Sequence, residues 1–481
     1  MNEPRIRLAG EEPDLFISTG SRDGEAVRLL NELFWEAANQ GASDIHLEDE
    51  MGESRIRYRV QGAMYERGRV SRALAVDMQT KIRMRAKLSL ADVRRPLDGR
   101  FGLHYARPGE EGEETLLRLD IRVSFQPTVY GQSVVMRLLD QRNTTKRLDE
   151  IEMANAVRDW INILVREPHG LFLVTGPTGS GKTTTLYGIL NELNDDTRKI
   201  VTIEDPVEYR VPGLIQTSIE AGLTFSEVLR ETLRQDPDII LVGEIRDAET
   251  AAIAVQAAMT GHLVLSTLHA NDACQTAVRM LDLGVDPNTL GAALRGVLAQ
   301  RLVRRLHEER MTMREPTDFE RRWLNNNKAS AEDADEIFGA PLDEADPNSA
   351  YDGRLAVMEL LVVDRFVRNV LPLRDARLIR SVAQSQPQYR TLAQAAADLS
   401  RRGFTSLTEV LGITSVAEVA NAARNLGERL VEMGRITPYQ LDVAKELIDE
   451  ASQRGEVVSL ETVLIRARFC TRKDLDEATA L

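Results

Sequence analysis

Gly176-Pro177-Thr178-Gly179-Ser180-Gly181-Lys182-Thr183-Thr184-Thr185 is the stretch whose reading decides the fold. It fits Gly-x-x-x-x-Gly-Lys-Thr, the phosphate-binding loop. Leu171-Phe172-Leu173-Val174-Thr175 precedes it and reads as a buried strand; Leu186, Ile189, Leu190 and Leu193 follow at helical spacing. Strand, glycine loop and helix form the context that the motif requires. Gly176, Pro177, Thr178, Gly179, Ser180, Gly181, Lys182, Thr183 and Thr184 are therefore the expected ATP-binding residues. Backbone N–H groups and the start of a helix cradle phosphate oxygens there. Lys182 is placed to reach the β- and γ-phosphates, and the Thr183 hydroxyl to serve Mg2+.

Outward from the loop, strands and helices alternate over about residues 151 to 306, which predicts a mainly parallel sheet flanked by helices. Ile200-Val201-Thr202-Ile203 is a strand, and Glu204-Asp205-Pro206-Val207-Glu208 leaves its C-terminal end, where such sheets bind ligands. Glu204 and Glu208 are candidates to orient a water or to hold Mg2+ through water. Thr224-Phe225-Ser226-Glu227 is a capping box that opens a helix. That helix carries Arg230 and Arg234, four apart and so expected on one face. Ile239-Ile240-Leu241-Val242 is a continuous apolar run typical of a strand buried on both faces. Gly243-Glu244 closes it in the position of a Walker B acid pair, with Gly where Asp is usual. Glu244 then acts alone, polarising water or holding Mg2+ indirectly. His262 and His269 bracket the strand Leu263 to Thr267 and are expected beside the phosphates, sensing the γ-phosphate or relaying conformation.

Upstream, residues 1 to 20 read as a flexible polar leader and 21 to 140 as a small α+β domain. Val27, Leu30, Leu33, Phe34 and Ala37 mark an amphipathic helix; Arg55 to Val60 alternates as a half-buried strand; a second helix is expected from about Asp77 to Lys87. Leu117, Leu119, Ile121, Val123 and Phe125 alternate with polar residues, so Arg118 and Arg122 share one strand face. A strand over Val134 to Leu139 carries Arg137. Positive charge of this kind is what a phosphate-cleaving site needs, often from another domain or subunit. A polar linker spans 141 to 150.

The totals exclude several classes. With 61 Lys+Arg against 75 Asp+Glu the net charge is −14, which disfavours broad phosphate-backbone binding and hence a nucleic-acid partner. Two cysteines, Cys274 and Cys470, make neither a disulfide framework nor a Cys-rich metal site, as suits a reducing cytosol. No run approaches ~18 apolar residues, so membrane contact is expected only through partners.

Five ordered blocks resemble the secretion-superfamily hexameric ATPases that drive type II secretion and type IV pilus assembly. Ala42-Ser43-Asp44-Ile45-His46-Leu47 looks like the opening of that family's second N-terminal domain, continued by Arg94 to Arg100, Asp120 to Ser124 and Val134 to Leu139. Thr202 to Tyr209 is similar to the aspartate box. Leu233 to Asp238 with Gly243-Glu244-Ile245-Arg246-Asp247 is similar to the atypical Walker B. Thr260-Gly261-His262 through Thr267-Leu268-His269-Ala270-Asn271 is similar to the histidine box. The resemblance covers about residues 40 to 306 and resumes near Tyr351.

It implies a RecA-like α/β motor domain preceded by a smaller PAS-like α+β domain. It implies a cytoplasmic homo-hexamer, peripheral at the inner-membrane face, in which Arg122, Arg137, Arg230 and Arg234 contact phosphate within or across subunits. ATP turnover would swing the leading domain against the motor and move an inner-membrane platform protein. Retraction or conjugative motors of the same superfamily are the nearest alternative, and a nucleic-acid motor a distant one.

Two departures stand out. Many assembly members carry a four-cysteine zinc site after the motif at Gln300 to Leu306. Here residues 307 to 350 lack cysteine and read as a polar, variable or mobile insertion, so no zinc is expected. Residues 351 to 412 read as a helical C-terminal part of the motor. Residues 413 to 481, with Leu426-Gly427-Glu428-Arg429-Leu430, resemble the small helical docking module that relatives carry at the N-terminus. Some versions of that module bind cyclic di-GMP. Asn425, where those have Arg, and Glu461, where a Leu-Gly pair is missing, favour partner docking here.

Overall fold

The computed structural model describes residues 6–8, 23–108, 114–140, 147–219, 222–327, 336–341, 350–414, 426–453 and 460–480. Asn425, most of the leader and the linker residues 141–146 lie outside them. The chain divides into two compact units. One comprises Met1–Ile151, Val165–Leu171 and Lys182–Thr267; the other comprises Glu152–Leu164, Phe172–Gly181 and Leu268–Leu481.

The first unit opens with an antiparallel sheet. Its strands are β1 (Ile6–Leu8), β2 (Ala42–Asp49), β3 (Glu53–Val60), β4 (Ala63–Ser71), β5 (Leu97–Pro108), β6 (Glu114–Pro127) and β7 (Gln132–Asp140), in the spatial order β1-β5-β6-β7-β2-β3-β4. Helices α1 (Asp23–Asn39) and α2 (Arg72–Arg85) bury Leu30, Phe34, Met78 and Ile82 against Ile45, Tyr58, Val123 and Phe125. Alternation on each strand therefore sends one set of side chains into this core and the other, including Arg122 and Arg137, to the opposite face. The leader is not wholly free of structure: Ile6–Leu8 pairs with β5. α2 starts earlier than the spacing alone places it, because Ser71 caps it, its Oγ accepting from Leu74 N at 3.3 Å.

A second sheet holds β8 (Gly170–Thr175), β9 (Ile200–Glu204), β10 (Ile215–Ser218), β11 (Ile239–Val242), β12 (Leu263–Leu268), β13 (Leu294–Leu306) and, from further along the chain, Tyr351–Val362, in the order β10-β9-β11-β12-β8-β13-(Tyr351–Val362). β10, β9, β11 and β12 run parallel to one another, and Tyr351–Val362 closes a long antiparallel ladder with β13. β8, β9, β11 and β12 are buried throughout, as apolar runs without alternation require. This is the RecA-like α/β arrangement. Its helices include α3 (Asn155–Leu164), α4 (Lys182–Leu193), α5 (Phe225–Thr232), α6 (Ala248–Met259), α7 (Ala273–Asp282) and α8 (Pro287–Ala293).

Within 307–350, expected to be a variable or mobile insertion, residues 328–335 and 342–349 lie outside the described ones. The described residues of this segment form β14 (Thr312–Arg314) paired with β15 (Ile337–Gly339), and a capped helix α9 (Asp318–Asn326). Trp323, Leu324 and Ile337 are buried with Val303, Leu355, Ala396 and Val410 in one core. A few large apolar side chains anchor this segment although most of its residues are polar. The expectation of a helical stretch over 351–412 is corrected at its start: Tyr351–Val362 is strand β16, drawn into the sheet by its antiparallel pairing with β13, and only then follow α10 (Arg365–Val370), α11 (Ala376–Ala383), α12 (Leu392–Arg401) and α13 (Leu407–Ile413).

The C-terminal residues form α14 (Leu426–Glu432), α15 (Pro438–Gln453), α16 (Leu460–Arg466) and α17 (Arg472–Ala480), packed around Leu430, Ile436, Leu441, Leu464, Cys470 and Leu475. Their sequence contains a structural repeat. Leu430, Gly434, Ile436, Thr437 and Leu441 recur 34 residues later as Leu464, Arg468, Cys470, Thr471 and Leu475. Gly434 and Arg468 both take left-handed backbone, at φ 66 and 56. Each repeat closes its turn alike, with Arg435 N donating to Leu430 O and Phe469 N to Leu464 O, both at 2.9 Å. Arg435 then crosses to the second repeat and pairs with Asp474 and Glu477. Among the described residues no helix is long and apolar enough to cross a membrane.

Candidate functional site

The first unit places two acidic candidates, Glu204 and Glu244, at one end of parallel strands. Glu204 ends β9, and Gly243-Glu244 leaves the neighbouring end of β11, where Gly243 N donates to Ile203 O at 2.7 Å. A Cβ at Gly243 would lie 3.1 Å from Ile203 O and 3.3 Å from Glu204 Cα. A side chain where an aspartate is usual would therefore sit tightly against β9. The end of β12 is stitched on by Thr267, whose Oγ1 donates to Gly243 O at 2.7 Å while its carbonyl accepts from Ile245 N.

Glu204 is buried and held at both oxygens. Thr202 Oγ1 donates to Oε1 at 2.6 Å, and Tyr187 of α4 donates to Oε2 at 2.7 Å. Burial pushes its carboxyl above the ordinary range, against the lowering effect of those bonds. Glu244 is largely covered and pairs with the exposed Arg246.

The leading sheet presents an arginine row. Across β5, β6 and β7 the register aligns Arg100 with Arg122 and Arg122 with Arg137, and Arg137 then faces Asp44 on β2. Arg137 Nε donates to Asp44 Oδ1 at 3.1 Å, and Arg59 approaches the same carboxylate at 3.8 Å. Arg100, Arg122 and Arg137 line a cleft of about 1360 Å³ whose other wall is the aspartate-box loop, with Glu208 and Tyr209. Arg100 was not singled out in the sequence. Register pairing, which a linear pattern does not display, brings it into the row.

The second unit holds the glycine part of the phosphate loop. Gly176 and Gly181 take positive φ, and a Cβ there would lie 2.4 Å from Gln300 O and 2.7 Å from Gln300 Nε2. Gln300, buried on β13, thus backs the loop at both ends of the glycine run. In the sequence Gln300 is marked only as the first residue of the motif Gln300 to Leu306, which carries no sign of this contact. Thr175, just before the loop, donates from Oγ1 to Leu268 O and accepts from Ala270 N, both at 3.0 Å, so the histidine-box loop is fastened to the strand that feeds the phosphate loop. Next, Asp272 caps α7 and pairs with Arg380 Nη2 at 2.6 Å. Beside it the fully buried Glu359 accepts from Tyr389 Oη at 3.0 Å, Ala273 N at 3.3 Å and Leu392 N at 3.1 Å. Burial pushes its carboxyl up to about 7, helped by Asp272 and opposed by Arg380.

Two placements differ from expectation. His262 and His269 do not share an end of β12. His269 follows the strand at the Thr175 end; His262 precedes it, its carbonyl accepting from Gly170 N at the start of β8 and its Nδ1 lying 3.0 Å from Ala257 O. Six strand residues between them span about 20 Å. Arg230 and Arg234 do not share one α-helical face either. α5 ends at Thr232, Arg234 sits on a tighter 3-10 turn, and the two exposed arginines pair separately, with Glu249 and Glu231.

The model of the family "Type II/IV secretion system protein" matches residues 20–412. The Type II secretion system protein HxcR of Pseudomonas aeruginosa is 41% identical over 412 residues, covering 85% of this chain and 81% of that protein. The Type II secretion system ATPase E of Vibrio cholerae is 39% identical over 396 residues, covering 82% and 76%. Among solved structures, the pilus retraction motor PilT with bound ADP aligns at a TM-score of 0.54 and 25% identity, covering 80% of this chain and 97% of that one. The Legionella pneumophila ATPase DotB aligns at 0.59 and 23% identity, over 83% and 97%, a likeness of fold. The chain belongs to the Type II/IV secretion system protein family, and with its phosphate loop intact it is one of that family's ATPases.

Proposed function

We propose that this ATPase turns ATP hydrolysis into movement for type II secretion or type IV pilus assembly. It acts as a cytoplasmic homo-hexamer on an inner-membrane platform protein. The observation that carries the reading is the arginine row Arg100, Arg122 and Arg137 facing the aspartate-box loop across one cleft. A domain that brings positive charge to an acid-lined phosphate site both assists cleavage and responds to the change in phosphate charge.

Gly176 to Gly181 cradle the phosphates: the loop is built of positions that a Cβ would fill. Lys182 reaches the β- and γ-phosphates. The donor set Thr183, Glu204 and Glu244 consists of oxygens, which suits Mg2+, with Thr183 as direct donor and the acids acting through water. Mg2+ held there would supply positive charge against the phosphate oxygens. Glu244 orients and deprotonates the attacking water, while Glu204 stays fixed between Thr202 and Tyr187. Glu208 faces the arginines, His269 reports the phosphate state through the loop that Thr175 fastens, and Arg230 and Arg234 serve a neighbouring subunit. The C-terminal repeat docks a partner.

The test is Glu244→Gln. ATP turnover with Mg2+ should fall at least a hundredfold while nucleotide affinity stays within about threefold. Unchanged turnover would remove Glu244 from the mechanism.

A further inference from the structure

We infer that Tyr187 is a positioning residue for ATP hydrolysis, setting the orientation of Glu204 and tying the helix that carries Lys182 and Thr183 to the aspartate-box loop. Tyr187 lies on α4 five residues after Lys182, about 7.5 Å along the axis. It is buried, and its hydroxyl is 2.7 Å from Glu204 Oε2 and 3.3 Å from Tyr209 O. One hydroxyl proton serves one of these, and the carboxylate is both nearer and the stronger acceptor. The Tyr209 carbonyl is met instead by Gln216 Nε2 at 2.8 Å, and the same nitrogen lies 3.2 Å from the Tyr187 oxygen. Gln216 Oε1 in turn accepts from Val211 N at 2.7 Å. The rings of Tyr187 and Tyr209 meet edge to face at 6.0 Å. Glu204 is thereby clamped between Thr202 on its own strand and Tyr187 on the phosphate-loop helix. A shift of α4 on nucleotide binding is transmitted to Glu204 and, through Gln216, to the loop that faces the arginine row.

This inference rests on the assignment of Glu204 to the nucleotide site, and the experiment separates the two. Tyr187→Phe keeps the ring and its packing and removes only the hydroxyl. We expect kcat for ATP to fall about tenfold, with KM for ATP within twofold and Tm within a few degrees. Gln216→Leu spares the Tyr187–Glu204 bond and should lower kcat less than threefold. Glu204→Gln is measured in parallel. If it leaves kcat unchanged, the assignment of Glu204 fails. If it lowers kcat while Tyr187→Phe leaves it unchanged, the positioning role fails alone. A Tyr187→Phe enzyme whose kcat, KM and Tm all deteriorate together would show a packing role and overturn the inference. Should Tyr187→Phe not fold, Thr202→Val loosens the other Glu204 oxygen and is read by the same split: kcat lowered at constant KM supports the clamp, and unchanged kcat overturns it.

Discussion

Thr175 Oγ1 lies 3.0 Å from both Leu268 O and Ala270 N, so one side chain fastens the histidine-box loop to the strand that feeds the phosphate loop. Thr175→Val keeps the shape and leaves a buried N–H and C=O without that partner. The expected cost is about 1–3 kcal/mol of stability, read from denaturant unfolding. ATPase activity should fall with it, because His269 and Ala270 lose their anchor. A loss under about 0.5 kcal/mol would show that the fastening is dispensable.

Gly181 and Gly179 separate two costs of adding a methyl group. Both take positive φ, 87 and 78, but only at Gly181 would a Cβ meet Gln300, at 2.7 Å. Gly181→Ala should therefore weaken binding of a fluorescent ATP analogue more than Gly179→Ala, which meets backbone strain alone. Equal effects would remove Gln300 as the backing of the loop.

Arg100→Ala, Arg122→Ala and Arg137→Ala should each lower kcat about tenfold or more, with smaller changes in nucleotide affinity. If the row completes a site in a neighbouring subunit, mixing Arg137→Ala with Lys182→Ala protein should restore part of the turnover. Mixed samples no more active than the two separate variants would place the row within one subunit.

Glu359 makes stability depend on pH. Its folded pKa, about 7, lies above the usual carboxylate value of ~4.3 expected of the unfolded chain. The folded state thus binds this proton more tightly. The stabilisation is complete below the unfolded value, is lost as pH rises toward 7, and changes little beyond. Glu359→Gln cannot ionise. Its loss of stability between pH 5 and pH 8 should be smaller than that of the parent by on the order of 2–4 kcal/mol, measured by urea unfolding at both pH values. Equal pH profiles would mean that Glu359 does not titrate in this range.

Trp323 tests whether the polar segment after β13 belongs to the fold. It is fully buried with Leu324, Ile337 and Ala396. Trp323→Ala should cost about 3–5 kcal/mol and expose 307–350 to limited proteolysis. An unchanged Tm and cleavage pattern would return the segment to the status of a loose insertion.

The phosphate loop, its strand and its helix were legible because a glycine run, an apolar run and a helical spacing are local signals, and α4 and β8 form where those signals lie. α5 was legible at its start, where Thr224 and Glu227 make a capping box, but not at its end, where the chain tightens after Thr232 and separates Arg234 from Arg230. Residues 307–350 read as mobile because composition averages over many polar residues, whereas burial depends on where Trp323 and Ile337 fall in space.

Residue order alone determined that this chain carries an ATPase phosphate loop: glycines before Lys182-Thr183, and a buried strand followed by Gly243-Glu244, need no distant partner to be recognised. Tertiary structure decided which groups meet. Strand register aligned Arg100 with Arg122 and Arg137. The close approach of β9 left little room for a side chain at Gly243. The length of β12 carried His262 away from His269, and Tyr187 reached Glu204 from another element. Such pairings join residues far apart in the chain, and their energies arise only when the sheet brings them within hydrogen-bonding distance.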